Sequence, residues 1–227
     1  MARWVNLLFL LVLLPSCVAQ EARTISPSLT GTIVGAVLTR ARASGSLVYS
    51  GRCENNGGTF DLPILRLPAD RNTPPVQLLQ QMFVDDPKMH VTQDANGNIR
   101  MVEVDVSRDL LDLRIVQVSF SSGSHILNNG NEAALQIRAT PDVKNYMTVN
   151  HIGPVASDFS LLIGPSSPDA PRISGDLYYV TVSEALDYIL KTYPGFWAYE
   201  SCENGDKGRT VHFDFFPTVP YSVAKFP

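Results

Sequence analysis

The chain has 227 residues, a formal net charge of −4 and a hydrophobic fraction of 44%. That apolar fraction is ordinary for a globular protein and argues against disorder. Its 18 basic and 22 acidic residues include no basic block, which argues against a nucleic-acid partner, because phosphate binding needs clustered lysine and arginine. The length allows one large domain or two small ones.

The first twenty residues have the pattern of an export signal. Arg3 supplies a short basic region, and an apolar run from Trp4 to Leu14 follows it. The run is too short for a stable membrane-spanning helix, so we expect a signal peptide over residues 1–19. Two interpretations of the cleavage site remain open. The sequence CVA before Gln20 suits ordinary signal peptidase, whereas LPSC resembles a lipobox in which Cys17 would carry a lipid.

Three stretches of the chain share one pattern, an amphipathic helix followed by strands. The first begins at Thr30, and the second begins at Thr73 and ends in a hairpin that turns at Asn96-Gly97. The third begins with a capping box formed by Thr181 and Glu184. Between the second and third stretches we expect a strand and two short helices. The pattern predicts an α+β fold in which small mixed sheets have helices packed on one face.

The sequences YSGRCENNGGTFDLP and YESCENGDKGRTVHFDFFP occur in the first and third stretches. We interpret them as corresponding turns of related units. Cys53 and Cys202 are the two cysteines that remain once the export segment is set aside, and an exported protein meets conditions that permit disulfides. We therefore predict a Cys53–Cys202 disulfide that joins the first unit to the last.

Residues 30–106, with GSLVYSG before a PVQLLQQMF helix, resemble the secretin and TonB N-terminal (STN) domain. The segment ISGDLYYVTVSEALDYILKTYPGFWAYES is similar to the strand-helix-strand half of the same domain. The resemblance implies an STN-like domain over 24–106 and a second STN-like half over 172–217, with a connecting region over 107–171 between them. Residues 218–227 have no periodicity, so we expect a flexible tail there. It also implies a periplasmic protein that contacts partner proteins, either soluble or as an outer-membrane lipoprotein. Because no pore or barrel sequence follows, we expect a free-standing module.

No catalytic or metal-binding pattern is found. The four histidines, at positions 90, 125, 151 and 212, have no metal-ligand spacing. Of these, His90 and His212 alternate with apolar residues, so we expect both to face solvent. The acidic pairs Asp85/Asp86 and Asp109/Asp112 are more simply explained by a helix end and a polar turn than by a catalytic dyad. We therefore expect no enzyme activity, no cofactor and no metal.

Aromatic residues are concentrated in the strand FWAYES. Phe196 points to one face of this strand, and Trp197 and Tyr199 point to the other. Only one set needs to be core, so we consider these three residues as a candidate partner-binding surface, with burial of both faces as the alternative.

The leading hypothesis is a non-enzymatic exported module that binds an envelope or periplasmic protein through a sheet edge or this strand. The alternatives are a small-molecule or glycan-binding protein, or a hydrolase, with a cleft between the two halves, and a structural envelope component. Membrane contact is expected only through a lipid on Cys17.

Overall fold

The computed structural model describes residues 24–25, 27–51, 63–66, 73–120, 130–154, 171–203 and 208–217. The predicted signal peptide, the predicted tail, Cys17, Cys53 and His125 lie outside these residues.

The described residues form five helices and ten strands. The helices are α1 (Pro27–Ala41), α2 (Pro75–Met82), α3 (Gly130–Ala139), α4 (Pro141–Val149) and α5 (Val182–Thr192). The strands are β1 (Thr24–Ile25), β2 (Gly45–Ser50), β3 (Leu65–Arg66), β4 (Met89–Gln93), β5 (Ile99–Glu103), β6 (Arg114–Ser119), β7 (Ile152–Pro154), β8 (Asp176–Thr181), β9 (Gly195–Glu203) and β10 (Arg209–Pro217). The predicted α+β class with mixed sheets is confirmed.

One six-stranded sheet, with the order β4-β5-β2-β9-β10-β7, organises the fold. Strand β2 lies at its centre and runs parallel to both neighbours, β5 and β9. Antiparallel pairs flank it on each side, β4 with β5 and β9 with β10. Strands from the three sequence units are therefore hydrogen-bonded neighbours in a single sheet.

Both faces of this sheet are covered. Helices α1 and α2 pack on one face through residues such as Val34, Leu38 and Leu79. The other face packs against α3 and α5, with Ile137 and Leu186 among the buried side chains. Helices α1 and α2 therefore lie on one face of the sheet and α3 and α5 on the other, and the sheet separates two hydrophobic cores.

Local sequence signals mark several of the element boundaries. The Thr181 hydroxyl accepts a hydrogen bond from the Glu184 amide at 3.1 Å, and a Glu184 carboxylate oxygen accepts from the Thr181 amide at 2.7 Å, which confirms the capping box. Gly97 has φ +84° in the turn between β4 and β5, as the predicted hairpin requires. The break between α3 and α4 falls at Thr140, as expected.

The two CEN-containing stretches differ in their surroundings. The second follows β9, which pairs directly with β10. The first follows β2, whose neighbours are β5 and β9, while β3 pairs with β1 in a separate two-stranded sheet. For the described strands, the interpretation of corresponding turns is therefore wrong, since β9 and β10 pair with each other in the main sheet and β2 and β3 do not.

Candidate functional site

The predicted aromatic surface is not exposed. Phe196, Trp197 and Tyr199 have exposed fractions of 0%, 3% and 0%. Strand β9 is a central strand with helices on both faces, so the alternation of its side chains fills two cores instead of leaving one face open. The indole nitrogen of Trp197 donates to Asp187 at 2.8 Å. The expectation that these three residues form a partner-binding surface is therefore wrong. The alternative, burial on both faces of the strand, is confirmed.

The two strand histidines differ in burial. His90 is exposed, as expected. His212 has an exposed fraction of 2%, contrary to the expectation, and its Nδ1 lies 3.6 Å from a carboxylate oxygen of Glu200. The reason is tertiary, since β10 pairs with β9 along its whole length and α1 packs across both strands.

The acidic pairs are divided among separate ion pairs. Asp85 binds Arg66 at 2.9 Å. Asp109 accepts from Arg209 at 2.7 Å and from the Tyr146 hydroxyl at 2.7 Å, and these bonds hold the pKa of Asp109 well below its usual range although burial opposes them. Asp112 lies 3.8 Å from Arg108, four residues earlier in a turn segment. Neither pair is therefore arranged as a catalytic dyad.

Polar side chains form a buried row across the main sheet. Tyr49 lies opposite Glu200, and Glu200 lies opposite His212. In the adjacent strand the Glu103 carboxylate accepts hydrogen bonds of 2.6 Å from both the amide and the hydroxyl of Ser50. The row consists of Glu103, Tyr49, Glu200 and His212, and all four side chains are buried. Across the ranges that the structure describes, no group of three or more His, Cys, Asp or Glu is placed to hold a metal ion.

Strands β6 and β8 form a separate two-stranded antiparallel ladder. The exposure of the side chains is irregular along both strands. On β6, Ile115 and Val118 are buried, whereas the two residues between them, Val116 and Gln117, are exposed. A regular strand would alternate, because successive side chains point to opposite faces. The middle of this strand therefore turns away from the core.

Strand β8 repeats this pattern. Leu177 and Val180 pack against the core, and the two residues between them, Tyr178 and Tyr179, are 56% and 69% exposed. Because Gln117 lies opposite Tyr178 in the ladder, the exposed positions of the two strands are adjacent. They form what we call the tyrosine patch: Val116, Gln117, Tyr178 and Tyr179.

The backbone of Tyr179 is strained. Its φ is +54°, a left-handed conformation that is an outlier for a bulky side chain. An Arg114 guanidinium nitrogen donates to the Tyr179 carbonyl at 3.0 Å, and Gln117 donates to the Tyr178 hydroxyl at 3.3 Å. Strain that the surrounding structure maintains at an exposed aromatic residue favours a functional interpretation.

The sequence contains only a weak signal for this patch. The segment RISGDLYYV is recognisable as a strand, but its two consecutive tyrosines predict one buried and one exposed ring by alternation. Only the distortion at Tyr179 exposes both rings together.

The predicted disulfide concerns one described cysteine. Cys202 is buried in β9, whereas Cys53 lies outside the described residues. Ser50 lies opposite Ser201, and the amide of Gly51 donates to the Ser201 carbonyl at 3.1 Å. Gly51, two residues before Cys53 in the sequence, therefore lies beside the end of β9 that contains Cys202. The disulfide stays a prediction that this neighbourhood supports.

No protein-family model, curated protein or solved structure matches the chain. The resemblance to the STN domain therefore stays a prediction from the sequence. Among the described residues, no helix is long and apolar enough to cross a membrane.

Proposed function

We propose that this protein is a non-enzymatic, exported interaction module that binds an envelope or periplasmic protein through the tyrosine patch. The observation that carries the proposal is the joint exposure of Tyr178 and Tyr179 beside Val116. Tyrosine and arginine are enriched at the centres of protein interfaces and carry much of their binding energy. The export signal that we predict from the sequence supports a location where such a partner would be an envelope protein.

The patch is suited to face-to-face packing rather than to strand addition. A regular open edge is needed for a partner strand to pair with. On β6 the amide of Val116 already donates to Asp142 of α4 at 3.0 Å. On β8 the left-handed residue Tyr179 interrupts the edge. Side-chain packing on the two rings is therefore the mode that we propose.

Charged residues at the two ends of the ladder define the partner's chemistry. Arg114 is exposed at one end and Asp176 is exposed at the other. The tyrosine patch itself has neither lysine nor glutamate, both of which are depleted in interfaces. The complementary surface is a protein that offers an apolar side chain to the rings, with an acidic group towards Arg114 and a basic group towards Asp176.

The alternative of a hydrolase or a small-molecule site in a cleft has less support. Such a site needs polar groups that converge on accessible space. The polar row of Glu103, Tyr49, Glu200 and His212 is buried within the fold. Because a substrate would have no access to these side chains in this conformation, the row is better explained as a buried polar part of the core.

Site-specific photo-crosslinking in the native envelope tests the proposal. The full chain would carry a photoreactive residue at position 179 in one variant and at position 104 in the control variant. Val104 is 61% exposed and lies outside the tyrosine patch. We expect a defined protein adduct at position 179 that is absent at position 104 and that disappears when Tyr178 is also changed to Ser.

Identical adducts at both positions, or none at position 179, would overturn the proposal. A parallel arm incubates the purified protein with cell-wall glycan fragments. Binding that Tyr178→Ser and Tyr179→Ser abolish, without a protein adduct, would replace the protein partner with a glycan.

A further inference from the structure

Strand β4 is an edge strand of the main sheet. It pairs with β5 on its inner side, and among the described residues no strand pairs with its outer side. The Val104 amide donates to the Lys88 carbonyl at 3.1 Å, one position beyond the ladder of β4 and β5. Backbone groups of successive residues in a strand point to opposite sides. The backbone groups of Met89, Val91 and Gln93 therefore point outward, away from β5.

The outward backbone groups of β4 are only partly occupied. The Gln80 side chain on α2 donates to the Val91 carbonyl at 3.0 Å, and the Met89 amide donates to the Asp86 carbonyl at 3.1 Å. The Val91 amide, the Met89 carbonyl and both backbone groups of Gln93 have no hydrogen-bond partner within the described part of the chain. A strand edge with such groups is a template for pairing with another strand.

The sequence of this edge is complementary to itself in one antiparallel register. When Val91 lies opposite Val91 of a second copy, Met89 lies opposite Gln93, and the outward groups of all three residues meet in hydrogen-bonded pairs. In the same register, Lys88 of each copy lies opposite Asp94 of the other, so two pairs of opposite charge flank the axis. A shift by one residue breaks the hydrogen bonds, and a shift by two separates Lys88 from Asp94.

The surroundings of the edge also suit a second copy of the chain. Helix α2, which packs against β4, has no charged side chain. Its exposed residues are Gln77, Gln80 and Gln81. Two copies of α2 that meet at a two-fold axis therefore have no like charges to repel each other. On the other face of β4 the exposed His90 of one copy would lie opposite the exposed Thr92 of the other.

We propose that the β4 edge is a homodimer interface in which two copies pair β4 antiparallel about Val91. The two six-stranded sheets then continue into each other through a two-fold axis, as in other isologous dimers. Gln80 has to release the Val91 carbonyl for this pairing, so its hydrogen bond weakens the association. The surface lies on a different sheet from the tyrosine patch and does not depend on the proposed function.

Sedimentation velocity of the full chain over a range of concentrations tests the proposal. We expect a monomer–dimer equilibrium that weakens with added salt, because the flanking ion pairs are exposed to solvent. Gln93→Pro removes an outward amide that the ladder with β5 does not use, and it should lower the association constant about tenfold or more. Gln80→Ala frees the Val91 carbonyl and should raise the association constant about fivefold.

A charge reversal at Lys88 tests the register without changing the backbone. Lys88→Glu would lie opposite Asp94 of the second copy and should lower the association constant about tenfold. Lys144→Glu is the matched control, because Lys144 is exposed on α4, far along the chain from this edge, and the change in net charge is the same. Circular dichroism of each variant shows whether the monomer remains folded.

Cysteine cross-linking identifies the paired residues directly. His90→Cys and Thr92→Cys proteins are mixed under mild oxidation, and mass spectrometry compares the 90–92 cross-link with the 90–90 and 92–92 cross-links. We expect the 90–92 cross-link to dominate, because these positions form close pairs that are not hydrogen-bonded.

Three results would overturn the proposal. The first is a chain that stays monomeric at every concentration, even if a strand of another protein binds this edge. The second is a dimer that neither Gln93→Pro nor Lys88→Glu weakens, because the contact would then lie elsewhere. The third is a set of cross-links in which 90–90 or 92–92 is as abundant as 90–92.

Discussion

The guanidinium of Arg100 forms a bidentate ion pair with the carboxylate of Asp187, with both nitrogen–oxygen distances at 2.7 Å. The same carboxylate accepts from the Trp197 indole, and Arg100 also binds Asp94 at 2.7 Å. Arg100 belongs to β5 and Asp187 to α5, so this network joins the second sequence unit to the third across the sheet.

Removing the Asp187 charge should weaken this junction. We expect Asp187→Asn to lower the free energy of unfolding by about 2 kcal/mol, because it leaves the partly buried Arg100 with a weaker partner. Urea denaturation measures the change. Asp105→Asn is the control, because Asp105 pairs with Lys88 on the surface, and its loss should change the free energy by less than about 0.5 kcal/mol. Equal effects in the two variants would contradict the prediction.

A side chain at Gly45 should disrupt the centre of the sheet. Gly45 lies opposite Ile99, and an added Cβ would collide with the Ile99 carbonyl oxygen. We expect Gly45→Ala to lower the free energy of unfolding by about 2 kcal/mol or more, because two backbones must move apart. At Gly153 an added Cβ would meet the Thr210 methyl group at 3.4 Å, so Gly153→Ala should cost less than about 1 kcal/mol. Thermal unfolding of both variants makes the comparison, and similar losses would refute it.

Stability should fall as the pH rises towards neutrality because of Asp214. Its pKa is about 7 in the folded protein and 3.8 in the unfolded chain, so the folded state binds more protons between these values. The loss accumulates from about pH 4 to pH 7, amounts to on the order of 4 kcal/mol, and stays constant above that range. Asp214→Asn should therefore be more stable than the wild type at pH 8 and similar to it at pH 4.

Asp109 provides a comparison of opposite sign. Its pKa is lowered in the folded protein, chiefly by Arg209, Ser107 and Tyr146 acting against burial. Asp109→Asn should be less stable than the wild type at neutral pH, and the difference should vanish in strong acid. Urea titrations across the pH range give both profiles. If the stability difference from the wild type had the same pH dependence in Asp214→Asn and Asp109→Asn, the direction of one of the two pKa shifts would be wrong.

Relief of the strain at Tyr179 should stabilise the fold while weakening partner binding. Glycine adopts φ near +54° without steric cost, so we expect Tyr179→Gly to raise the free energy of unfolding by about 1 kcal/mol. Tyr178→Gly is the matched control, since Tyr178 lacks a positive φ and glycine within a strand lowers stability. Chemical denaturation measures the free energy of unfolding of the two variants. Destabilisation by both would show that the left-handed backbone at Tyr179 does not lower the stability of the fold.

The Cys53–Cys202 disulfide should add stability under oxidising conditions. It would close a loop of about 150 residues, which corresponds to roughly 4–5 kcal/mol in the chain-entropy model. We expect Cys202→Ser to lower the unfolding free energy of the oxidised protein and to have a small effect in the presence of reductant. Thiol labelling after denaturation without reductant gives an independent check, because two reactive thiols would rule the bond out.

Local signals in the sequence predicted much of the secondary structure correctly. The turn at Gly97, the capping box of Thr181 and Glu184, and the break at Thr140 depend on residues only a few positions apart. Their energies are therefore determined by neighbours along the chain, and the sequence alone is enough to identify them.

Burial and exposure were decided by the tertiary structure. Trp197 and His212 are buried because β2, β9 and β10 lie side by side and helices from distant segments cover both faces. Tyr178 and Tyr179 are exposed because the β6–β8 ladder departs from regular alternation at one left-handed residue. Strand neighbours and packed helices come from remote parts of the chain, and periodicity within one segment carries no information about them.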